Sequence, residues 1–303
     1  MREIARPAYF TVELLEPDQR PAPAREDGIR GLLLLTLTCR TPLHVGTGSP
    51  YLVEDAPRRL VGGMTTVSAG STRVPFIPGT SIKGAVRAVV EAITPSCERV
   101  SVPGRDGRAC RGADALCPAC RIFGAPGWRA TVGFGDQLQT DGVDELEPIR
   151  VAQRYSFRNA PRRGRRLYRP EPEDPLPAKE EELAVVPAGT RFRGAIYLDG
   201  IDETGLGLIF LALGVRPKGL PYLRLGAGKN RGLGIVDADV RFGRLHRSLR
   251  DWLSDTRLLT TREDAGEFVS RLEEQALTVH PRTSALLERI RREYAEPTEK
   301  NPR

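Results

Sequence analysis

Cys97, Cys110, Cys117 and Cys120 fall in one short window with the spacing C-x12-C-x6-C-x2-C. A CxxC pair can chelate one metal ion from a tight turn, and two further thiolates complete a tetrahedral site of the kind zinc prefers. The surrounding sequence, VPGRDGRACRGADALCPAC, is too polar to build a core of its own, so a metal would have to hold it together. Four protein ligands leave no open coordination position, which points to a structural role. The competing interpretation is a set of incidental thiols in a loop. The fifth cysteine, Cys39, sits in an apolar run and is expected in the core. Five cysteines in an intracellular chain argue against a disulfide framework.

Two glycine-rich stretches could do a different chemistry. PFIPGTSIKGAVRAVVEAI (75–93) runs from a Gly/Thr/Ser turn into an amphipathic pattern, and LGAGKNRGLGIV (225–236) runs into an alternating one. Backbone N–H groups at such a helix start can cradle phosphates. Neither stretch is a nucleotide-cofactor loop. GTSIKG lacks the Walker A spacing, and Arg231 stands where a third Rossmann glycine would be. On the residues alone, a phosphate site and a tight structural turn remain equally open. A third stretch, Arg150 to Arg169, holds eight arginines and no acid, with Tyr155, Phe157 and Tyr168 interleaved. A solvated basic face is the bland account. The mixture also suits RNA, because arginine neutralises phosphates while rings stack on bases. Arg154, Arg158, Arg162 and Arg163 are the candidates there.

These groups need a scaffold. The chain has 303 residues, a formal charge of +7 and a pI near 9.4. No apolar run reaches the ~18 residues needed to cross a bilayer, and the N-terminus lacks the apolar core of a signal peptide. The expectation is a cytoplasmic protein with no membrane partner. Residues 1–30 read as a weakly structured lead-in and 31–40 as a buried strand. TPLHVGTGSPYLVEDAPRRLVGG reads as a loop, and STRVPF as a short strand. Ile82, Val86, Val89, Val90 and Ile93 give a helix one apolar face, with Lys83 and Arg87 a turn apart on the other side. Strands are expected at 130–139 and 190–200, a short buried helix in TGLGLIFLALGVRP, a strand after the second glycine-rich loop, and helices from 246 onwards. The order βαββαβ predicts an α+β, ferredoxin-like (modified RRM) domain over 31–245. A zinc-binding insertion falls at 96–121, an Arg-rich, thumb-like hairpin excursion at 150–183, and a helical extension with a disordered tail at 246–303.

The glycine-rich helix start closely resembles the first-helix motif of the RAMP superfamily, the repeat-associated subunits of CRISPR effector complexes. LHVGTG (43–48) resembles that family's loop after the first strand. CRIFG (120–124) is similar to its short motif after the first helix, and LGAGKNRGLGIV to its C-terminal glycine-rich loop. The resemblance extends from about residue 32 to 242. It implies a Csm/Cmr-like subunit of a type III complex, bound to CRISPR guide RNA, complementary target RNA and other subunits. Carried over by motif, Gly79, Thr80, Ser81 and Lys83 become guide contacts, as do Lys229, Asn230 and Arg231. His44 belongs to the family loop, where a hydrogen-bonded structural role competes with RNA contact. Arg87 joins the RNA set by its place on the helix. The excursion at 150–170 takes the position of the family's thumb, which wedges between guide and target.

The resemblance also implies that such subunits often cleave target RNA with an Asp in the loop between LHVG and PGTSIKG. Attack by a ribose 2′-hydroxyl needs a base or a bound metal such as Mg, and a carboxylate could serve either role. Glu54 and Asp55 are the acids of that loop, and EDAP makes Asp55 the candidate. Two alternatives stand beside a nuclease: a non-catalytic cap or scaffold subunit, and a zinc-stabilised RNA-binding protein acting alone.

Overall fold

The computed structural model describes residues 9–53, 56–70, 72–97, 110–142, 146–152, 164–170, 180–254, 256–258 and 262–295. Its chain order is β1 (Tyr9–Val12), β2 (Ile29–Cys39), β3 (Gly46–Val53), β4 (Ala56–Met64), β5 (Thr66–Ala69), β6 (Thr72–Ile77), α1 (Gly79–Ile93) and α2 (Pro118–Phe123). There follow β7 (Val132–Phe134), β8 (Gln137–Gln139), β9 (Glu147–Ala152), β10 (Arg165–Tyr168), β11 (Glu180–Val185), β12 (Arg191–Ile201) and α3 (Glu203–Leu213). The last are β13 (Leu223–Arg224), β14 (Ile235–His246), α4 (Leu249–Leu253), α5 (Arg262–Val279) and α6 (Arg282–Ala295).

The main sheet runs β13-β14-β2-β12-β8-β6-β5, with β7 also paired to β12. β2 lies between β12 and β14, antiparallel to both. Its alternation places Leu33, Leu35, Leu37 and Cys39 in the core, as a strand's two-residue period requires. The opposite face carries Leu34, which is about half exposed. Ile82, Val86, Val89, Val90 and Ile93 of α1 are all buried, so the helical periodicity marks the inward face. α3 is apolar all round and buried from Gly205 to Leu213. Asp202 caps it by accepting the Gly205 N–H at 2.6 Å. Gly207 has no Cβ to hold off the Leu272 carbonyl of α5, so the two helices approach closely.

A second sheet runs β3-β4-β11-β9, with β4 and β11 parallel and the other pairs antiparallel. Its first two strands replace the loop expected over this stretch. Small and turn-forming residues on a half-exposed ribbon give no apolar alternation to read. The excursion after residue 150 is bounded by the β9/β11 pair, while β10 inside it pairs with β1.

The expected lead-in is also more ordered than its composition suggests. Asp18 N–H donates to Pro95 O, Arg20 and Leu116 exchange two backbone bonds, and Ala22 N–H donates to Ala113 O. Residues 18–22 therefore strap the segment that carries the cysteines. Among the described residues, no helix is long and apolar enough to cross a membrane.

Candidate nucleic-acid interface and metal centre

The cysteines come together from three places. Cys97 follows the C-terminal turn of α1, Cys117 precedes Pro118 at the start of α2, and Cys120 lies within α2. Cys110 is the first described residue after 98–109. All four are buried, and their sulfurs lie within 4.8 Å of one another. The Cys97–Cys120, Cys97–Cys117 and Cys97–Cys110 Sγ separations are 3.5, 3.6 and 3.9 Å. A tetrahedron with metal–sulfur bonds of about 2.3 Å has edges of about 3.8 Å, so the donor set fits a four-thiolate metal ion.

The surroundings suit thiolate. Cys97 N–H points at Cys117 Sγ (3.4 Å), Cys117 N–H at Cys110 Sγ (3.2 Å), Gln19 Nε2 at Cys110 Sγ (3.3 Å) and Arg87 Nη2 at Cys120 Sγ (3.3 Å). Such outer hydrogen bonds orient metal ligands and favour their charged form. Within the cluster, hydrogen bonds from Cys120 and Cys97 hold the Cys117 thiol well below its ordinary range, and the same bonds with Cys117 push Cys97 and Cys120 up. Cys39, by contrast, is a core thiol pushed up to about 12 by burial.

The glycine-rich motifs converge elsewhere. A cleft of about 900 Å³ lies between the loop after β2, the first half of α1, the second sheet and the loop after β13. His44, Gly46 and Gly48 line one side, Ser81, Gly84 and Ala88 another, and Gly226 and Lys229 the end. The small residues on α1 leave room for a ligand. Two of the loops are bonded together: Ala227 N–H donates to His44 O and Gly234 N–H to Pro42 O, both at 2.9 Å. The chain turns sharply there because Gly226, Gly228, Gly232 and Gly234 all have positive φ, a region that glycine enters at little cost. His44 is buried. Its Nδ1 donates to Ala184 O at 2.7 Å, since a carbonyl can only accept, and this fixes the ring to the second sheet. Glu182 of the cleft is held below the usual carboxylate range by Arg59, with Arg150 adding to the effect.

The predicted residues therefore separate. His44, Ser81 and Lys229 line the cleft. Thr80 is exposed and Lys83 half-buried at the helix start, and Asn230 is buried beside Lys229 in the 3-10 turn Lys229–Arg231. Gly79 is buried with its N–H bonded to Asp136 Oδ1 at 2.8 Å, and a Cβ there would overlap the Phe134 carbonyl. Its N–H caps the helix through a side chain of this protein. Arg87 lies with the cysteines. Asp55, Arg154, Arg158, Arg162 and Arg163 lie outside the described residues.

Of the other arginines in the basic run, Arg165 pairs with Glu91 and Arg169 with Glu293, Arg166 lies over the Tyr9 ring, and Arg150 bonds Glu182. Two residues that no sequence motif marks support the motif residues: Asp136, which accepts the Gly79 N–H, and the buried Arg224, whose Nη2 donates to Lys229 O. The signal for Arg224 was a lone cation inside the apolar run PYLRLG.

The RAMP superfamily model matches residues 36–237, about two-thirds of the chain. The chain belongs to the RAMP superfamily. A 91-residue stretch is 33% identical to the "CRISPR system Cms endoribonuclease Csm3" of Methanothermobacter thermautotrophicus (strain ATCC 29096 / DSM 1053 / JCM 10044 / NBRC 100330 / Delta H), covering 29% of this chain and 31% of that relative. The match thus spans about a third of the relative's length. A chain of a solved "Type IV-B CRISPR Complex" aligns with a TM-score of 0.40 at 16% identity, covering 76% of this chain and 100% of that one.

Proposed function

We propose that this chain is a CRISPR RNA-binding backbone subunit of a type III effector complex, assembled with other subunits and holding guide RNA phosphates while the guide pairs with target RNA. The observation that carries this is the convergence of three family motifs, spread between residues 43 and 236, on one cleft ending at Lys229. The partial match to a protein named as a CRISPR endoribonuclease supports it. The antiparallel order β14-β2-β12-β8, with α1 and α3 as the intervening helices, supports a ferredoxin-like core. The metal is zinc in this proposal, held by Cys97, Cys110, Cys117 and Cys120 in a closed site that supplies structure rather than chemistry.

Phosphate contact predicts salt-dependent affinity, with a slope near −0.7 per neutralised phosphate on single strands. Lys83→Ala and Lys229→Ala should each weaken binding to single-stranded RNA whatever its sequence, and each should flatten that slope by about one contact. Unchanged slopes in both variants overturn the assignment of this cleft. Target cleavage is the second half of the proposal. In the assembled complex with Mg, Asp55→Ala should abolish cleavage while guide binding persists. Cleavage retained at every interval would leave the non-catalytic subunit as the correct description.

A further inference from the structure

One chain of alternating charge joins the cysteine centre to β10. Arg87 donates Nη2–H to Cys120 Sγ at 3.3 Å, Nη1–H to Gly124 O at 3.1 Å and Nε–H to Glu91 Oε1 at 2.7 Å. The second oxygen of Glu91, Oε2, accepts from Arg165 of β10. The side chains of Glu91, Arg87 and Arg165 are 1%, 12% and 19% exposed. A carboxylate this deeply buried is tolerated only because two cations face it, and removing it would leave those cations opposed with little water between them.

β10 depends on such anchors. It is four residues long and pairs only with the equally short β1 among the described strands, and an isolated two-stranded ribbon is marginal in water. Buried Leu167, the neighbouring Arg169–Glu293 pair and the contacts of Tyr168 and Arg166 with the Tyr9 ring add to its hold.

We propose that Glu91 is a positioning residue that couples the metal centre to β10, so that metal occupancy sets how firmly this strand is held. A metal shared by the four cysteines would fix the Cys120 sulfur in place, and with it the Arg87 guanidinium that bonds Cys120 Sγ, Gly124 O and Glu91 Oε1, so that Glu91 is held facing Arg165. Without that shared ion the Cys120 sulfur is no longer pinned, Arg87 loses one fixed acceptor, and the Glu91–Arg165 pair loses its backing. The coupling stands on these contacts alone; its consequence for RNA rests on the function proposed above.

The test is amide exchange at residues 165–168 in the full-length, metal-loaded protein, before and after chelation, for wild type and Glu91→Gln. Glu91→Gln should keep about one metal per chain and unchanged exchange in β12, while β10 exchange rises at least tenfold. Chelating the wild type should give a similar rise, and chelating the variant should add little. A β10 that ignores chelation, or effects of the two perturbations that simply multiply, overturns the coupling. Should Glu91→Gln fail to fold, Arg165→Met leaves the Arg87–Glu91 pair intact. It should remove the metal dependence of β10 exchange, and persistence of that dependence refutes the proposal. Affinity for a mixed-sequence single-stranded RNA should fall in step with β10 protection. Loosened β10 with unchanged affinity refutes the RNA role of the strand but not the coupling.

Discussion

The junction between the loop after β2 and the glycine-rich loop can be broken at one atom. Gly226 has φ 72°, and a Cβ there would stand inside 3.0 Å of the His44 carbonyl oxygen, the oxygen that accepts the Ala227 N–H. Gly48 has φ 88° but open space around its Cβ position. Both glycines line the same cleft. Gly48→Ala should therefore cost only the left-handed conformation, about 1–2 kcal/mol. Gly226→Ala adds an overpacking cost of about 1–3 kcal/mol against rigid backbone, for a total of about 2–5 kcal/mol. Urea unfolding of the metal-loaded protein measures both, with the slope m held as a check that the unfolded state is unchanged. RNA binding should follow the same order, because displacing His44 separates the two loops that wall the cleft. Equal destabilisation by the two variants, within about 0.5 kcal/mol, would refute the claim that close backbone approach rather than turn conformation holds the loops together.

Elemental analysis should find about one zinc per chain, and Cys120→Ser should lower metal retention and thermal stability together; a stable, metal-free wild type would contradict the centre. Glu273 of α5 is buried with Oε1 unpartnered among the described residues, and burial pushes its pKa up to about 7. The folded protein thus keeps a proton that the unfolded chain releases near 4.5, so this residue's contribution is complete below pH 4.5 and is lost as pH rises through about 7. Glu273→Gln should accordingly raise Tm at pH 8 and match the wild type at pH 4, whereas parallel pH profiles would rule out this origin. Asp136→Ala removes the acceptor of the Gly79 N–H and should cost about 1 kcal/mol in chemical unfolding, as loss of a helix N-cap does; no measurable cost would mean that water replaces the cap.

How far these features are legible in sequence depends on whether their cause is local. The inward face of α1 follows from an apolar period of 3.6 and appears where the pattern puts it, whereas the dense apolar run 31–40 marks a buried strand without saying which of its leucines face the core. The 18–22 strap has no such period because its partners, Pro95, Ala113 and Leu116, are distant in the chain, and the β3–β4 ribbon has none because its small and turn-forming residues pair locally on a half-exposed surface. Within the candidate site, His44, Ser81 and Lys229 are marked by motif, whereas Asp136 and Arg224 act through neighbours that only the fold supplies.

The basic run shows the limit of counting charges. Eight arginines between 150 and 169 look alike in sequence, yet Arg150, Arg165 and Arg169 already face Glu182, Glu91 and Glu293. A cation neutralised within the protein releases no counterion from RNA. The salt slope of RNA binding should therefore be smaller than eight arginines would give, and removing Arg165 should alter affinity through the position of β10 while leaving that slope unchanged.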